Sequence, residues 1–434
     1  MTFSIHPQSM SDRQGRLLEM SGQLFRGILP AHAPFCERVL ASPAVERLFA
    51  RGLVSTERAE IASADYPLVL RHERIDFVSY WNEWPSLMLR DAAVMLCDLN
   101  LELLGHGCAI LDCHPWNVLF DFARPVFVDF SAVALLDEVW LGEMAGRMRN
   151  YWALPLALIS RGHPWFARSF RRTPDVGEPL DDLFKRRELS WFPLWYVPLR
   201  RDARRNPQRF FERLRGKLQN LPLPRRAEVG GETLCDGRED GEPREGEAKV
   251  LQTLLERLRP QTVLDVCCHE GGRALLAAGA GAKVVAIDDN EAHVNALYAR
   301  VKSDRRRVLP LFLDFTTPTP AHGRKCEFPS SPERLGCDLV LLFGALDRLV
   351  FHLDLSFPRV AQLLASYARR HAAVEFVPRE ASRVPARDAH RRDWYDADNF
   401  AAAMEKDFRL IEVFDSDPPR KIMLFERRSV VRES

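Results

Sequence analysis

Beyond about residue 250, apolar runs of strand length alternate with stretches whose apolar residues recur every three or four positions. Thr262 to Cys268, Lys283 to Ile287, Val308 to Leu313, Asp338 to Phe343 and Ala372 to Val377 read as strands. Their near-continuous apolar character is that of strands buried on both faces. Between them, Val250 to Leu258, Gly272 to Ala280, Glu291 to Val301 and Val360 to Arg370 carry helical spacing, with Asn290 as an N-cap. The order then changes: a helix at Asn399 to Phe408 precedes two strand-like runs, Arg409 to Phe414 and Lys421 to Glu426, joined by the short turn Asp415 to Pro419. Five βα units closed by a hairpin predict an α/β fold, a mostly parallel sheet with an antiparallel strand added.

Before residue 220 the pattern is less regular. Met88 to Leu104 is a strongly apolar helix and Asp112 to Asn117 a loop. Leu119 to Asp121 and Pro125 to Val128 flank Phe122-Ala123-Arg124 as a hairpin that leads to Asp129. Leu136 to Leu218 is helix-rich, and Trp140, Trp152, Trp165, Trp191 and Trp195 are spaced as core aromatics. From Leu221 to Lys249, Pro, Gly and charge dominate. Too little apolar surface lies there to offset the cost of ordering it, so the stretch reads as a flexible linker. The expected organisation is an α+β, helix-rich domain over 1–220, a linker over 221–249 and an α/β domain over 250–428.

Composition narrows the function classes. The chain has 434 residues, too many for one ordinary core. Its net charge of +1 makes no electrostatic case for nucleic acid or an acidic membrane. Met1 to Met20 lacks the apolar core of a signal peptide, and no apolar run approaches the roughly 18 residues of a membrane span. Nine cysteines without framework spacing point to a reducing cytoplasm. Cys267-Cys268-His269 looks like a metal cluster, but successive residues leaving a strand point to opposite sides, so no metal is expected there.

The candidate chemistry lies where the first two of these strands end. Val263 to Val266 contains Asp265 and runs into a turn that ends at Gly271-Gly272; Val284 to Ile287 ends in Asp288. Two acid-tipped parallel strands are the layout of a nucleotide-type pocket, with Asp288 placed to accept both hydroxyls of a ribose. The turn lacks the G-x-G-x-x-G that a pyrophosphate needs. S-adenosylmethionine carries a sulfonium, an amino group and a carboxylate but no phosphate, and fits those charges.

These residues resemble the class I S-adenosylmethionine-dependent methyltransferases over roughly residues 246–428. Asp265 to Gly271 stands where that family carries its acidic-x-Gly-x-Gly-x-Gly turn, with Cys267 and His269 where small residues are preferred. Asp288 stands at the ribose acid, Asp314-Phe315 at the adenine, and Val374 to Pro378 at the fifth strand. The resemblance implies S-adenosylmethionine as cofactor, a Rossmann-like methyltransferase sheet with an antiparallel terminal hairpin, and Asp289 and Phe343 as further cofactor-lining residues. Methyl transfer asks the protein mainly to orient donor and acceptor. A base is needed only for a hydroxyl or a protonated amine, and Asp347, Glu375 and His352 are candidates near strand ends.

A second resemblance covers roughly residues 66–135. Leu111 to Phe120, followed by Val126 to Ser131, is similar to the catalytic loop and metal-binding strand end of protein kinases and aminoglycoside phosphotransferases. It implies that Asp112 orients an acceptor hydroxyl and that Asn117 and Asp129 hold Mg²⁺. No lysine precedes Lys185, and no glycine-rich loop precedes Gly105, so the phosphate-binding chemistry is missing and a degenerate domain is expected. Taken whole, the chain resembles a group of bacterial methyltransferases that includes nodulation-associated proteins. That resemblance implies a small-molecule or saccharide-type acceptor. A non-catalytic scaffold or sensor and a bifunctional kinase-methyltransferase are the competing expectations.

Overall fold

The computed structural model describes residues 3–7, 9, 14–61, 63–137, 139–169, 196–223, 242–323, 326–381 and 393–428. Trp191, Trp195 and most of the expected linker lie outside the described residues. The chain divides into two compact units. One comprises Met1–Asn82, Ser86–Pro224 and His322–Phe328, the other Glu83–Pro85, Arg225–Ala321 and Pro329–Ser434.

The first unit opens with five strands: β1 (Ser4–Ile5), β2 (Gly15–Met20), β3 (Gln23–Ile28), β4 (Thr56–Arg58) and β5 (Leu68–His72). They form an antiparallel sheet in the order β1-β2-β3-β5-β4, packed on Leu18, Phe25 and Val69. Ser21-Gly22, both at positive φ, makes the two-residue turn between β2 and β3 that matches strand twist. None of these strands was expected from the apolar pattern.

The helix Ser86–Leu104 starts two residues earlier than expected. Its buried Asn100 ties it to β6 (Cys108–Ile110), accepting from the Ile110 N–H at 3.0 Å and donating to the Leu96 carbonyl at 2.8 Å. A 3₁₀ turn (Pro115–Asn117) leads to the hairpin β7 (Val118–Asp121) and β8 (Arg124–Phe127), and β9 (Val133–Leu135) pairs with β6. Helices Leu141–Met148, Leu154–Ser160, Val197–Arg205 and Pro207–Gln219 follow. Trp152 is fully buried and its indole N–H donates to the Cys113 carbonyl at 2.8 Å. Trp140 departs from the core expectation: it is 62% exposed, with the Arg204 guanidinium 5.7 Å from its ring centre, a contact that needs no burial.

The second unit is built on a seven-stranded sheet of β10 (Thr262–Val266), β11 (Lys283–Asp288), β12 (Val308–Phe312), β13 (Cys337–Leu342), β14 (Ala368–Phe376), β15 (Phe408–Asp415) and β16 (Lys421–Arg427). The order is β12-β11-β10-β13-β14-β16-β15; the first five strands are parallel, and β16 lies antiparallel between β14 and β15. The mostly parallel sheet closed by a hairpin is therefore present. The chain order reverses beside β10, so the carboxyl ends of β10, β11 and β13 lie at the position where such sheets take ligands.

Three boundaries differ from the apolar pattern. The helix expected over Val360 to Arg370 spans Phe357–Tyr367, with Pro358 in its first turn, and Arg369 and Arg370 belong to β14. The last helix is Ala397–Met404, capped by Asp396, which accepts from the Asn399 N–H at 2.7 Å. The helix expected from Val250 spans Glu245–Leu258 and so begins inside the expected linker. Its first N–H groups, on Gly246 and Glu247, each donate at 3.1 Å to the carboxylate of Asp417, in the turn between β15 and β16. An anion at a helix N-terminus stabilises the first turn, adding to the local Glu245 and Glu247. Among the described residues no helix is long and apolar enough to cross a membrane.

Candidate active site

The turn after β10 has an unusual backbone. Cys267, His269 and Gly271 sit at φ of 56°, 51° and 85°, alternate left-handed residues where the resembled motif has glycines. Left-handed conformation costs a residue with a Cβ about 1–2 kcal/mol. The loop thus keeps a glycine-type path while carrying two side chains, both 4% exposed. Gly271 admits no side chain, since a Cβ there would lie 2.3 Å from Cδ1 of Leu297.

That path brings the loop onto β11. The His269 N–H donates to Oδ2 of Asp288 at 2.9 Å and the Asn290 N–H to Oδ1 at 2.8 Å. Nδ1 of His293, on the helix Glu291–Asp304, lies 3.4 Å from the same Oδ1, and its ring centre is 5.0 Å from that of His269. Burial opposes a charge on His293, but the Asp288 carboxylate outweighs it and raises the imidazole above its ordinary value. Asp289, next along, is half-buried.

Beneath the turn lies a buried charge network that the sequence did not disclose. Arg273, 6% exposed, donates to Oδ1 of Asp265 at 3.1 Å, to Oε1 of Glu247 at 3.2 Å and to the Cys267 carbonyl at 2.6 Å. Asp265 is fully buried, and its other oxygen, Oδ2, has no hydrogen-bond partner among the described residues. Burial raises the Asp265 carboxyl above its usual range, against the pull of Arg273. Burial alone would lower the guanidinium, but Asp265 and Glu247 more than offset it and hold Arg273 charged. An arginine directly after Gly272 in an otherwise apolar helix start was the available signal.

Glu375, the last but one residue of β14, is fully buried. Its carboxylate accepts from Arg244 at 3.0 Å, Arg420 at 3.3 Å and the Gly344 N–H at 2.9 Å. Burial raises its carboxyl and the two arginines oppose that shift. Asp347 lies in the first turn of Leu346–Phe351 and is 8% exposed, whereas His352, at that helix's end, is exposed. Asp314 accepts from the Thr316 N–H at 2.7 Å and from the hydroxyls of Thr316 and Thr317 at 2.8 and 2.7 Å. Phe315 and Phe343 are buried, the former against the Tyr367 ring with centres 5.8 Å apart.

In the first unit, Asp112, Asn117 and Asp129 are brought together. Asp112 accepts from Arg147 at 3.0 Å and from the His114 N–H at 3.2 Å, while the Asn117 amide donates to the Asp112 carbonyl at 3.2 Å. Asp129 meets Arg26 of β3: Nη1 lies 3.3 Å from Oδ1 of Asp129 and donates to the Ser131 hydroxyl at 2.9 Å, which donates to that same Oδ1 at 2.7 Å. The sequence showed that lysine is absent but not that an arginine from a distant strand holds this aspartate.

This is a mostly parallel α/β sheet with acid-tipped central strands, joined in one chain to an α+β unit that carries Asp112, Asn117 and Asp129. No protein-family model matches the chain. It is 24% identical over 376 residues to the nodulation protein NoeA of Rhizobium meliloti (strain 1021), covering 79% of this chain and 78% of that protein. Among solved structures it is similar to the magnesium protoporphyrin IX methyltransferase ChlM of Synechocystis PCC 6803 with bound SAM, at TM-score 0.31 and 16% identity, covering 44% of this chain and 86% of that one. It is also similar to the bifunctional kinase-methyltransferase WbdD, at TM-score 0.33 and 20% identity, covering 43% and 40%. The curated relative is a nodulation protein, of the group that the sequence resemblance named.

Proposed function

We propose that the chain is an S-adenosylmethionine-dependent methyltransferase acting on a small-molecule or saccharide-type acceptor, with residues 250–428 as the methyltransferase domain. The observation that carries this reading is the pair of carboxylates at adjacent strand ends. Asp288 is held by two backbone N–H groups, and Asp265 keeps a buried oxygen without a partner. Such an oxygen is costly unless a cation meets it, and the amino group of the cofactor is one. In this reading Asp288 takes the ribose, Gly271 lets the loop pass close, and Asp289, Asp314, Phe315 and Phe343 line the remainder. Bound there, the cofactor supplies an electrophilic methyl group on a sulfonium; the chain's own task is to orient the acceptor and exclude water. Asp347 is assigned as the proton acceptor if the acceptor is a hydroxyl. Glu375, engaged by two arginines and an N–H, is assigned as the anchor of the loop after β13.

We assign residues 1–220 as a degenerate kinase-like domain that positions substrate. The Arg26 guanidinium on Asp129 supports this, since a cation already stands where phosphoryl transfer would use Mg²⁺. The eight described cysteines are free thiols, in keeping with a cytoplasmic protein. A non-catalytic scaffold has one observation in its favour: Arg273 already neutralises half of Asp265. Calorimetry with S-adenosylhomocysteine decides between the two. We expect binding, weakened by about 1.5–3 kcal/mol in Asp288→Ala as a charged hydrogen bond is lost. No heat of binding at millimolar ligand rejects the methyltransferase reading.

A further inference from the structure

We propose that His269, Asp288 and His293 form a binding site for a zinc-class divalent ion. One donor atom from each of the three lies within 4.8 Å of the other two. Tetrahedral zinc holds nitrogen and oxygen donors at about 2.0–2.2 Å, which sets adjacent donors about 3.3 Å apart. Nδ1 of His293 and Oδ1 of Asp288 already stand at 3.4 Å. The His269 ring nitrogen lies within 4.8 Å of both.

The surroundings are those of a built site. Both oxygens of Asp288 are oriented by backbone N–H groups, the outer-shell support that metal-bound carboxylates use. His269, whose backbone N–H meets the carboxylate, is itself left-handed, a strained conformation of the sort that persists at functional sites. His293 comes from the first turn of the following helix, and 22% of its side chain is exposed, which gives an ion a route in. Two imidazoles and one carboxylate suit zinc or cobalt rather than magnesium or calcium, which prefer all-oxygen shells. Three protein ligands leave a fourth position open.

The ion site does not rest on the methyl-transfer reading, but it uses the carboxylate which that reading gives to the ribose. An ion on Asp288 and a ribose on Asp288 exclude one another, so the ion acts as an inhibitor of any ligand that needs that acid. The test titrates the untagged full chain with Co²⁺ alone and follows the visible absorption of cobalt in a nitrogen-oxygen site. One ion per chain is expected, displaced by zinc. Binding should be weakened tenfold or more in His293→Ala, on the helix surface, and in His269→Asn, since asparagine tolerates left-handed backbone. Thermal melts of both variants verify the fold, with His293→Gln replacing either that fails. No uptake of Co²⁺ at millimolar concentration, or a change under tenfold in either folded variant, overturns the proposal. Displacement of S-adenosylhomocysteine by zinc is read separately; if the homocysteine ligand never binds, the cobalt result is unaffected.

Discussion

Replacing Arg273 by methionine removes the cation that three buried acceptors share: Oδ1 of Asp265, Oε1 of Glu247 and the Cys267 carbonyl. Asp265 and Glu247 are 0% and 1% exposed, so neither carboxylate can recover water when the guanidinium is gone. Breaking a buried pair by removing one partner costs about 3–5 kcal/mol, because the other charge stays behind uncompensated. For a unit of this size each kcal/mol lowers the melting temperature by roughly 2–4 °C, giving a fall on the order of 10 °C. Scanning calorimetry of the full chain reads the shift, and hydrogen exchange of the β10 amides localises it. Adding Asp265→Asn and Glu247→Gln to Arg273→Met removes the stranded charges and should restore most of the loss. A cost below about 1 kcal/mol, or no recovery in the triple variant, would refute the claim that this network holds the turn in place.

Gly271→Ala puts a Cβ 2.3 Å from Cδ1 of Leu297 at a φ of 85°, and should destabilise the second unit by about 1–3 kcal/mol in a urea titration; a neutral result would mean the loop relaxes freely. His72 is half-buried beside Thr56, with Nε2 shut off from solvent, and that burial, with Arg26 adding to it, lowers its imidazole to about 3. A folded value below the unfolded one gives stability that is complete above about 6.5 and is lost as pH falls toward 3. The first unit should therefore lose about 2 kcal/mol between pH 7 and pH 5, and His72→Gln should remove that part of the pH dependence. Equal slopes in the two proteins would count against it.

The second unit's sheet was legible because β10 to β14 are buried on both faces, so their apolar runs are nearly continuous. β1 to β5 could not be read from the apolar pattern because they are two to six residues long and, as in Thr56–Arg58, interrupt apolar positions with charged ones. The two-residue turn at Ser21-Gly22 was the one local signal for them. Asp265 and Asp288 could be picked out because each ends or nearly ends an apolar run. The long-range pairs around the two sites could not: Glu247 to Arg273 spans 26 positions, Arg244 to Glu375 spans 131, and Arg26 to Ser131 spans 105. Such pairings follow from topology, and no periodicity in the chain encodes them.

The acceptor for the Gly246 N–H lies 171 residues downstream, in the carboxylate of Asp417. A ribosome therefore releases the opening helix of the second unit long before its capping anion has been synthesised. The Gly246 and Glu247 bonds to that carboxylate form only after the terminal hairpin has left the exit tunnel. A truncation before Asp417 would leave the Gly246 and Glu247 N–H groups without that carboxylate, so damage at the end of the unit is felt at its start.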